Sequence, residues 1–466
     1  MILLTLGEIR EAVGGKIFGD FNPKEKISGI STDSRTIKKG ETFFAIKGEK
    51  FDGSKFSGDA LKRGSSAIVV SNDSENIEYK NVIYVRDTKK ALMDLALYYR
   101  KKINPRVYGI TGSNGKTTTK DILALLLKNT YKTTESKGSF NNEIGLPLTV
   151  LQMSKNTKVL VLEMGMSGKG ELNRLFKIAL PDVGLITNVG PAHLAHFSSL
   201  EEIAAAKSEL IENLAKNKFA VLNKDDCFYD YFKSKTRAKI IDFGIKNKSG
   251  FMAGNISLLP FKGSTFILNA HGKKIKIKTS LPGLHNVYNI LAAVAAASIF
   301  ENDLNYLAEE LKNASLPKMR LEGIKLKGIK IVNDAYNANP NSVAAGLKEL
   351  GNYKALGNKI FVFGGMLELG SDSGNYHRQI GEEAVRQGVD YLVIRESEET
   401  IAASCAAIKY GMDKNKVFSA KTNEDIVNIL LSFMKKGDVV LFKGSRAVYL
   451  EEAVELLKFR IRRGRF

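Results

Sequence analysis

Val107-Tyr-Gly-Ile-Thr-Gly-Ser-Asn-Gly-Lys-Thr-Thr-Thr119 leads from a β-like run through a glycine turn into the helical pattern of Asp121-Ile-Leu-Ala-Leu-Leu-Leu127. Gly112 and Gly115 let the backbone turn so that several N–H groups point at one anion. The helix that follows adds roughly half a positive charge at its N-terminus. This succession of strand, glycine loop and helix predicts a phosphate-binding loop in an α/β fold.

Two side chains of this loop suit a nucleoside triphosphate. Lys116 can neutralise β- and γ-phosphate charge, and the hydroxyl of Thr117 is a ligand for Mg²⁺. Ile110 stands where the strict G-x-x-x-x-G-K-T pattern has its first glycine, but the strand before the loop and the helix after it argue against a chance glycine turn. Such a loop needs an acidic metal partner at the end of a neighbouring strand, and Lys158-Val-Leu-Val-Leu-Glu-Met-Gly165 provides Glu163 there.

A second apolar run, Asp182-Val-Gly-Leu-Ile-Thr-Asn-Val-Gly-Pro-Ala-His193, ends in a histidine. A lone histidine is more often a structural residue than a ligand. Because the carboxyl ends of parallel strands meet at one edge of a sheet, however, His193 is expected near Glu163, as a metal ligand. His196 lies three residues further on, but no third ligand follows at a suitable spacing, so zinc is not predicted.

The composition is that of an ordinary globular protein. The chain has 466 residues, of which 44% are hydrophobic and 26% charged, enough for two to four domains. The N-terminus shows no signal-peptide pattern and no apolar run is long enough to cross a bilayer, so we expect a cytoplasmic protein without membrane insertion. The two cysteines, Cys227 and Cys405, are predicted to be buried thiols in a reducing compartment.

The formal net charge of +20 would allow nucleic-acid binding, with residues 458–466 as a basic arm. The lysines are spread over the whole chain, however, and no nucleic-acid motif is present. A lysine-rich composition and clefts that hold polyanions explain the charge better. No nucleic-acid partner is predicted.

The pattern of strands and helices divides the chain into three domains. Residues 1–104 mix short strands and helices, and Asn104-Pro105 ends the last helix because the residue before proline is pushed out of the α region. Residues 105–314 alternate strands and helices, which predicts a largely parallel sheet around the phosphate loop. Residues 315–466 repeat that alternation on a smaller scale and predict a Rossmann-like domain. The expected fold class is therefore α/β, with a mixed N-terminal domain.

Together these segments resemble the Mur ligase family, over nearly the whole chain. The family's T-G-x-x-G-K-T loop is matched by residues 111–117, with the same substitution at the first glycine, and its N-x-G-x-x-H loop by residues 188–193. Its asparagine-rich segment is similar to residues 140–147. A family lysine that is carbamylated and helps to hold a second Mg²⁺ corresponds to Lys207. Without the resemblance, Lys207 is only a lysine on the solvated face of an amphipathic helix.

The resemblance implies binding of ATP and two Mg²⁺ ions, together with a CO2-derived carbamate on Lys207. The implied catalytic residues are Lys116, His193, Lys207 and Arg320. The implied metal ligands are Thr117, Glu163, His193 and Lys207. The implied ATP-binding residues are Gly112, Ser113, Asn114, Gly115, Lys116, Thr117, Thr118, Asn286, Asn289, Arg320, Asp334 and Asn337. A UDP-muramoyl peptide would contact Ser31, Asp33, Ser34, Arg35, Asp52, Asn141 and Asn142.

One motif points to a different base. Asn223-Lys-Asp-Asp226 matches the N-K-x-D pattern that specifies guanine in phosphate-loop GTPases. The match is four residues long with one wildcard, so it also arises by chance or in a turn. Asn286 and Asn289, in the segment that resembles the family's adenine-proximal motif, favour adenine, and the N-K-x-D match is interpreted as a coincidence.

Three further segments indicate a branch of the family. Ser31-Thr-Asp-Ser-Arg35 resembles the family's uridine-nucleotide domain, which folylpolyglutamate synthases lack. The D-N-P-R motif of the diamino-acid-adding ligase does not occur, whereas Gly364-Gly-Met-Leu-Glu-Leu-Gly370 and Lys443-Gly-Ser-Arg446 resemble the D-alanyl-D-alanine-adding branch. Gly365 replaces the usual aspartate of that branch.

The resemblance therefore implies a monomeric, ATP-dependent ligase that joins D-alanyl-D-alanine to UDP-N-acetylmuramoyl-tripeptide through an acyl phosphate. Two alternatives stay open. One is the diamino-acid-adding ligase, which acts on the dipeptide nucleotide, and the other is a non-catalytic ATP-dependent module.

Overall fold

The structure is a computed structural model that describes residues 4–17, 20–48, 52–72, 80–192 and 194–464. The described chain forms three β-sheets, of five, nine and six strands. This confirms the expected α/β class with three units. We propose the divisions 1–104, 105–314 and 315–466, since each range holds one sheet, and name these ranges the first, central and third units. Among the described residues, the helices lack the length and apolar character that crossing a membrane requires.

The first unit is a mixed sheet covered by helices. Its elements are α1 (Leu6–Val13), β1 (Lys16–Ile17), β2 (Gly29–Ser31), β3 (Glu41–Phe44), α2 (Ser57–Lys62), β4 (Ala67–Ser71), β5 (Val82–Val85) and α3 (Thr88–Ile103). The strand order is β1-β5-β4-β3-β2, and only β1 pairs antiparallel. The buried face of α3, including Leu92, Leu95 and Tyr99, shares one hydrophobic core with the central unit. The first two units are thus packed together.

The central unit contains the phosphate loop. Its elements are β6 (Arg106–Thr111), α4 (Lys116–Lys128), β7 (Thr133–Glu135), α5 (Gly145–Leu151), β8 (Val159–Glu163), α6 (Glu171–Ala179), β9 (Val183–Ile186), α7 (Leu200–Glu212), β10 (Phe219–Asn223), α8 (Tyr229–Lys235), β11 (Lys239–Gly244), β12 (Phe251–Leu259), β13 (Gly263–Ala270), β14 (Lys273–Thr279), α9 (Leu284–Ala297) and α10 (Leu304–Glu310). The strand order is β14-β13-β12-β11-β10-β9-β6-β8-β7. β6 therefore lies between β8 and β9, and all three strands end at the same edge.

An antiparallel extension of this sheet was not predicted. β12, β13 and β14 form successive antiparallel hairpins beyond the parallel strands. β14 shows the alternation of a half-buried strand, because Ile275 faces the protein interior between the exposed Lys274 and Lys276. Such an alternating strand differs from the apolar runs on which the prediction rests, since those are typical of parallel strands with two covered faces.

The third unit is a Rossmann-like sheet with one antiparallel edge strand. Its elements are β15 (Glu322–Leu326), β16 (Ile329–Asn333), α11 (Pro340–Asn352), β17 (Lys359–Phe363), α12 (Ser373–Arg386), β18 (Tyr391–Arg395), α13 (Glu398–Lys409), β19 (Val417–Ala420), α14 (Asn423–Phe433), β20 (Val439–Lys443) and α15 (Leu450–Arg462). The strand order is β15-β16-β20-β17-β18-β19, and only β15 pairs antiparallel. The carboxyl ends of β16, β20 and β17 are therefore adjacent.

Both cysteines are exposed, so the prediction of buried thiols is wrong. Cys227 follows the polar turn after β10. Cys405 lies on α13, where Ala403 and Ala407 are buried. Residues four apart share one face of a helix, so the position midway between them points outward. The helical period, rather than the apolar character of the thiol, places Cys405.

Candidate functional site

A cleft of about 860 Å³ lies between the central and third units. One wall is the phosphate loop with the strand ends beside it, and the other consists of the loops after β16, β17 and β20. The carboxyl ends of parallel strands are where α/β folds bind ligands. Of the predicted residues, the cleft is lined by Ser113, Asn114, Gly115, Lys116, Thr117, Thr118, Asn141, Glu163, Asn286, Asn289, Arg320, Asp334 and Asn337.

The shape of the phosphate loop depends on two glycines. Gly112 has φ +146° and Gly115 has φ +83°, which are backbone conformations that other residues rarely adopt. A Cβ atom on Gly112 would overlap the Thr187 hydroxyl, and one on Gly115 would overlap the Asn289 amide. Both positions therefore require glycine, and α4 begins directly afterwards at Lys116.

The Lys116 ammonium is turned onto its own loop, where Nζ donates a hydrogen bond to the Gly112 carbonyl oxygen at 2.7 Å. Desolvation lowers the pKa of Lys116; the nearby Glu163 carboxylate opposes this shift and the Arg320 guanidinium reinforces it. Two cations, one from each unit, thus lie near each other in the cleft. Such a cluster suits a polyphosphate, whose charge would neutralise both.

Glu163 ends β8 and is 2% exposed. Its Oε1 accepts a hydrogen bond from Asn141 Nδ2 at 2.7 Å, whereas Oε2 is buried and has no hydrogen-bond partner within the described ranges. A buried carboxylate oxygen without a donor is costly unless a cation meets it. The Thr117 hydroxyl lines the same cleft. These oxygens are the ligand type that Mg²⁺ prefers, so the two residues fit the predicted ion.

The rest of the predicted metal site is less complete. His193 lies outside the described residues. Within them, no group of three or more His, Cys, Asp or Glu side chains is arranged to hold a metal. Any ion here would therefore depend on hydroxyl and phosphate oxygens as well as carboxylates.

Lys207 lies in α7 and is 2% exposed, so the solvated helix face that its sequence pattern indicates is wrong. Burial lowers the pKa of Lys207 well below its ordinary value. The Lys116 ammonium acts in the same direction, and the Asp226 carboxylate opposes it. Lys207 therefore lies close to the phosphate loop, although it does not line the cleft.

The asparagines predicted to lie near the adenine are used mainly inside the protein. Asn286 Nδ2 donates to the Pro282 carbonyl oxygen at 2.7 Å, and Asn289 Nδ2 donates to Asn286 Oδ1 at 3.0 Å. Thr119 Oγ1 donates to Asn289 Oδ1 at 3.4 Å. These bonds tie the start of α9 to the phosphate loop and leave few groups free for a base.

Two aspartates that the sequence analysis did not predict line the cleft. Asp226 Oδ2 accepts a hydrogen bond from the Val189 N–H at 2.8 Å, and Asp225 Oδ2 accepts one from the Tyr288 hydroxyl at 2.8 Å. These carboxylates hold the loop after β9 and the start of α9. The N-K-x-D match includes both aspartates, but the residues that donate hydrogen bonds to them, Val189 and Tyr288, come from distant segments of the chain.

Arg320 reaches from the third unit to the phosphate loop. Its Nη2 donates to Thr117 Oγ1 at 3.1 Å, its guanidinium lies 4.4 Å from the centre of the Tyr336 ring, and its buried Nε has no hydrogen-bond partner in the described chain. Asn339 makes a second bridge, donating from Nδ2 to Asn114 Oδ1 at 2.7 Å. An arginine with a spare donor beside a phosphate loop suits a phosphate group.

Asp334 and Lys443 form a buried ion pair in the third-unit wall. Lys443 Nζ lies 2.6 Å from Asp334 Oδ2, and the two residues are 2% and 8% exposed, respectively. Lys443 Nζ also donates to the Asn337 carbonyl oxygen at 3.1 Å, and Asp334 Oδ1 accepts from the Leu321 N–H at 3.1 Å. The pair fixes the loop after β16 against the end of β20. From the sequence, Lys443 indicates only a branch of the family and not this ion pair.

The predicted peptide-nucleotide residues of the first unit do not line this cleft. Ser31 Oγ accepts a hydrogen bond from the Asp33 N–H at 3.1 Å, and Asp33 makes two bonds of 2.9 Å with the Arg35 guanidinium. Ser34 is 7% exposed. Asp52 caps the short 3-10 helix Gly53–Phe56, which begins directly after Asp52. The loop after β2 is therefore ordered by its own side chains.

Two other predicted residues act within the central unit. Gly112 shapes the phosphate loop from behind the cleft surface. Asn142 Oδ1 accepts a hydrogen bond at 2.9 Å from the N–H of Gly145, the first residue of α5.

Comparison with known proteins gives three matching domain families. The Mur ligase middle domain matches residues 110–297, the glutamate ligase domain of Mur ligases matches residues 319–446, and the catalytic domain of the Mur ligase family matches residues 26–100. With the fold and the cleft, these matches show that the chain belongs to the Mur ligase family. The resemblance drawn from the sequence is confirmed.

Individual relatives narrow the comparison. The chain is 35% identical to the UDP-N-acetylmuramoyl-tripeptide–D-alanyl-D-alanine ligase of Bacillus subtilis, over 98% of each chain. A crystal structure of MurF from Acinetobacter baumannii matches with a TM-score of 0.88 at 29% identity and covers 98% of this chain and 100% of that one. MurF from Thermotoga maritima, in complex with ADP, matches with a TM-score of 0.80 at 30% identity and coverages of 93% and 98%.

Proposed function

We propose that this chain uses ATP to join D-alanyl-D-alanine to UDP-N-acetylmuramoyl-tripeptide, a step of peptidoglycan precursor synthesis. The proposal rests on the end-to-end similarity of this chain to UDP-N-acetylmuramoyl-tripeptide–D-alanyl-D-alanine ligases. The cleft supports it, because a phosphate loop there faces cationic side chains from two units. Its volume of about 860 Å³ suits a nucleotide or drug-sized ligand.

The proposed reaction turns an inert carboxylate into an acyl donor. A carboxylate oxygen of the tripeptide attacks the γ-phosphorus of ATP, and the bond to the bridging oxygen breaks to release ADP. The amine of D-alanyl-D-alanine then adds to the carbonyl carbon of the acyl phosphate. The tetrahedral intermediate expels phosphate and the nitrogen loses a proton, which leaves the amide. Without phosphorylation the leaving group would be oxide.

Lys116 and Arg320 supply the electrostatic part of this proposal. The attacking carboxylate and the triphosphate are both anions, so cations must offset their repulsion. Lys116 Nζ now donates to its own loop, and the Arg320 Nε–H has no acceptor among the described residues. Both groups have donors that can turn to phosphate oxygens. Thr118, in the first turn of α4, would contribute its backbone N–H. The N–H groups of Ser113 and Asn114 donate to Asn188, so these two residues would shape the phosphate site and not donate to it from the backbone.

Magnesium belongs to the proposal at two places. Thr117 and Glu163 would hold one ion, and His193 with a carbamate on Lys207 would hold the other. Bound Mg²⁺ would withdraw charge from the β- and γ-phosphate oxygens. The unpartnered Oε2 of Glu163 supports the first place.

A CO2-derived carbamate on Lys207 is proposed from its surroundings. Burial lowers the pKa of Lys207 and so favours the neutral amine, which is the form that reacts with CO2. The carbamate would be an anion near the Lys116 ammonium. With ¹³C-bicarbonate we expect a carbamate resonance in ¹³C NMR that Lys207→Ala removes, and short carboxylates should restore part of the activity of that variant. Absence of the resonance in the unmodified chain would refute the carbamate.

The peptide nucleotide is proposed to bind between the first unit and the cleft. Ser31, Asp33, Ser34 and Arg35 belong to the end of β2 and the loop after it. The Arg35 side chain is 85% exposed, so the donors that its bonds to Asp33 leave unused are open to a diphosphate. Asp52, Asn141 and Asn142 complete the proposed surface. We also propose a cytoplasmic monomer, since one chain supplies both walls of the cleft and ATP is an intracellular substrate.

Phosphate release tests the proposed function. The purified chain with ATP and Mg²⁺ should release phosphate only when both the tripeptide nucleotide and D-alanyl-D-alanine are present, and the amide product should appear in equal amount by mass spectrometry. Turnover with the dipeptide nucleotide and a free diamino acid instead would identify the other branch. ATP binding without turnover on either substrate pair would favour a non-catalytic module.

A further inference from the structure

The turn between β12 and β13 of the central unit inserts into the third unit. Phe261, at the tip of this turn, is 9% exposed. It belongs to a hydrophobic core whose other buried members, such as Leu347 and Leu350, all come from the third unit. Its backbone φ of +53° is a conformation that residues other than glycine rarely adopt. Contacts with the third unit must therefore hold it in place.

Three residues of the third unit surround Phe261. Its N–H donates to Glu349 Oε2 at 3.2 Å, and its carbonyl oxygen accepts from Lys330 Nζ at 3.5 Å. Its ring centre lies 5.5 Å from that of Tyr353, and Lys330 Nζ lies 5.1 Å from the Phe261 ring and 4.7 Å from the Tyr353 ring. We name Phe261, Lys330, Glu349 and Tyr353 the pivot cluster.

The pivot cluster lies beside the covalent connection between the central and third units. Leu316, in that connection, packs against the same core as Phe261. Ser280, directly after β14, donates to the Ala314 carbonyl oxygen at 2.6 Å. The β12–β14 hairpins thus attach to the third unit next to its linker. Two neighbouring attachments define an axis of rotation, whereas a linker alone would leave the direction of movement open.

Helix α11 connects the pivot cluster to the cleft. Glu349 lies near its C-terminal end, and its N-cap residue Asn339 bonds to Asn114 of the phosphate loop. At about 1.5 Å per residue, the two contacts are about 15 Å apart along the helix axis. A tilt of about 4° at one end would move the other by about 1 Å, a misplacement that can cost about a hundredfold in rate.

We propose that the Phe261 turn is the pivot on which the third unit closes, and that Phe261, Lys330 and Glu349 position Arg320 and Asn339 against the phosphate loop. None of the pivot cluster lines the cleft. These residues therefore act through α11 and the strand β16, not on the substrates. This inference rests on the proposed function in one respect: phosphoryl transfer requires the third unit to close over the phosphate loop.

The test compares Phe261→Ala with Leu259→Ala. Leu259 lies on the same hairpin and is 53% exposed, so it is a matched control for loss of an apolar side chain. Distance labels go on Cys227 and Cys405, the only two cysteines of the chain, which are both exposed and lie in the central and third units. The label-to-label distance distribution is measured by electron paramagnetic resonance with and without a non-hydrolysable ATP analogue.

With the analogue, we expect a narrow distribution for the unmodified chain and for Leu259→Ala, and a broad one for Phe261→Ala. The kcat of Phe261→Ala should fall about tenfold or more. Its Kd for ATP should rise by less than about tenfold, because the phosphate loop of the central unit stays intact and only the contribution of the third unit is weakened. A narrow distribution and a kcat within about twofold of Leu259→Ala would overturn the proposal.

A second variant and a readout that is independent of turnover complete the test. If circular dichroism shows that Phe261→Ala does not fold, Phe261→Leu is measured with the same readouts and should give an intermediate width; the width of the unmodified chain would overturn the proposal. The distance measurement requires no amide product. Broadening in Phe261→Ala would therefore support the pivot even if the unmodified chain failed to make the proposed amide.

Discussion

Replacement of Lys443 by methionine should destabilise the third unit far more than loss of a surface ion pair does. The change removes Nζ, which lies 2.6 Å from Asp334 Oδ2 in a site where Lys443 is 2% exposed. Methionine keeps most of the apolar stem, so the cavity is small. The main effect is a buried carboxylate without its counter-ion.

The size of the effect follows from the contacts that remain. Breaking a buried ion pair by removing one partner costs about 3–5 kcal/mol. Asp334 keeps the hydrogen bond from the Leu321 N–H, which places the expected loss at the lower end, about 3 kcal/mol. For a unit of this size, such a loss should lower the melting temperature by about 10 °C.

A double-mutant cycle with Asp334→Asn isolates the ion pair. Asparagine still accepts the Leu321 N–H but carries no charge, so the double variant should recover about 2 kcal/mol of the summed losses. Lys312→Met is the control, because Lys312 Nζ lies at the same 2.6 Å from Glu309 Oε2 but the side chains are 57% and 68% exposed. Its expected cost is below about 0.5 kcal/mol.

Urea unfolding followed by circular dichroism, together with calorimetry, measures these free energies of unfolding. If Lys443→Met proved as mild as Lys312→Met, or if the cycle showed no coupling, the argument from burial would be refuted.

Three other predictions concern the cleft. Lys116→Ala should abolish phosphate release while the melting temperature changes by less than about 3 °C, because it removes a cation without altering the packed core; appreciable turnover would contradict the role given to this ammonium. Gly112→Ala should abolish ATP binding in calorimetric titration and lower the free energy of unfolding by at least about 2 kcal/mol, because its Cβ would meet the Thr187 hydroxyl. Gly272→Ala is the control: Gly272 has φ +75° but open space around it, so the loss should be only about 1 kcal/mol. Burial lowers the pKa of His285 to about 4, so as the pH falls the unfolded chain takes up the proton before the folded chain does. The free energy of unfolding should therefore fall by about 3 kcal/mol between pH 6.5 and 4. His285→Asn should flatten this part of the profile of unfolding free energy against pH, and an unchanged slope would exclude His285 as its cause.

The phosphate loop was predictable because its structure is local. Gly112, Gly115 and Lys116 lie within five residues of one another, and the flanking strand and helix are continuous with them in sequence. The three-unit α/β architecture was predictable for a similar reason, since apolar strands and amphipathic helices show their periods in short windows. The antiparallel hairpins were missed because β14 alternates lysine with isoleucine instead of forming an apolar run.

The remaining parts of the cleft depend on segments that meet only in the folded chain. Asp334 and Lys443 are 109 residues apart, and Arg320 and Thr117 are 203 residues apart. Lys207 illustrates the same limit, because a lysine after three alanines is typical of a helix but does not show which face the sheet covers. Phe261 carried no signal at all, since its partners belong to another unit.

The bond between the Lys116 ammonium and the Gly112 carbonyl oxygen affects which solutes the loop can retain. A ligand that arrives must displace an internal acceptor, so binding is an exchange and its net gain per contact is small. Chloride or a single phosphate would offer few atoms to make that exchange favourable, whereas a triphosphate would contact the loop through many oxygens at once. We therefore expect the resting loop to discriminate against simple anions and in favour of nucleotides.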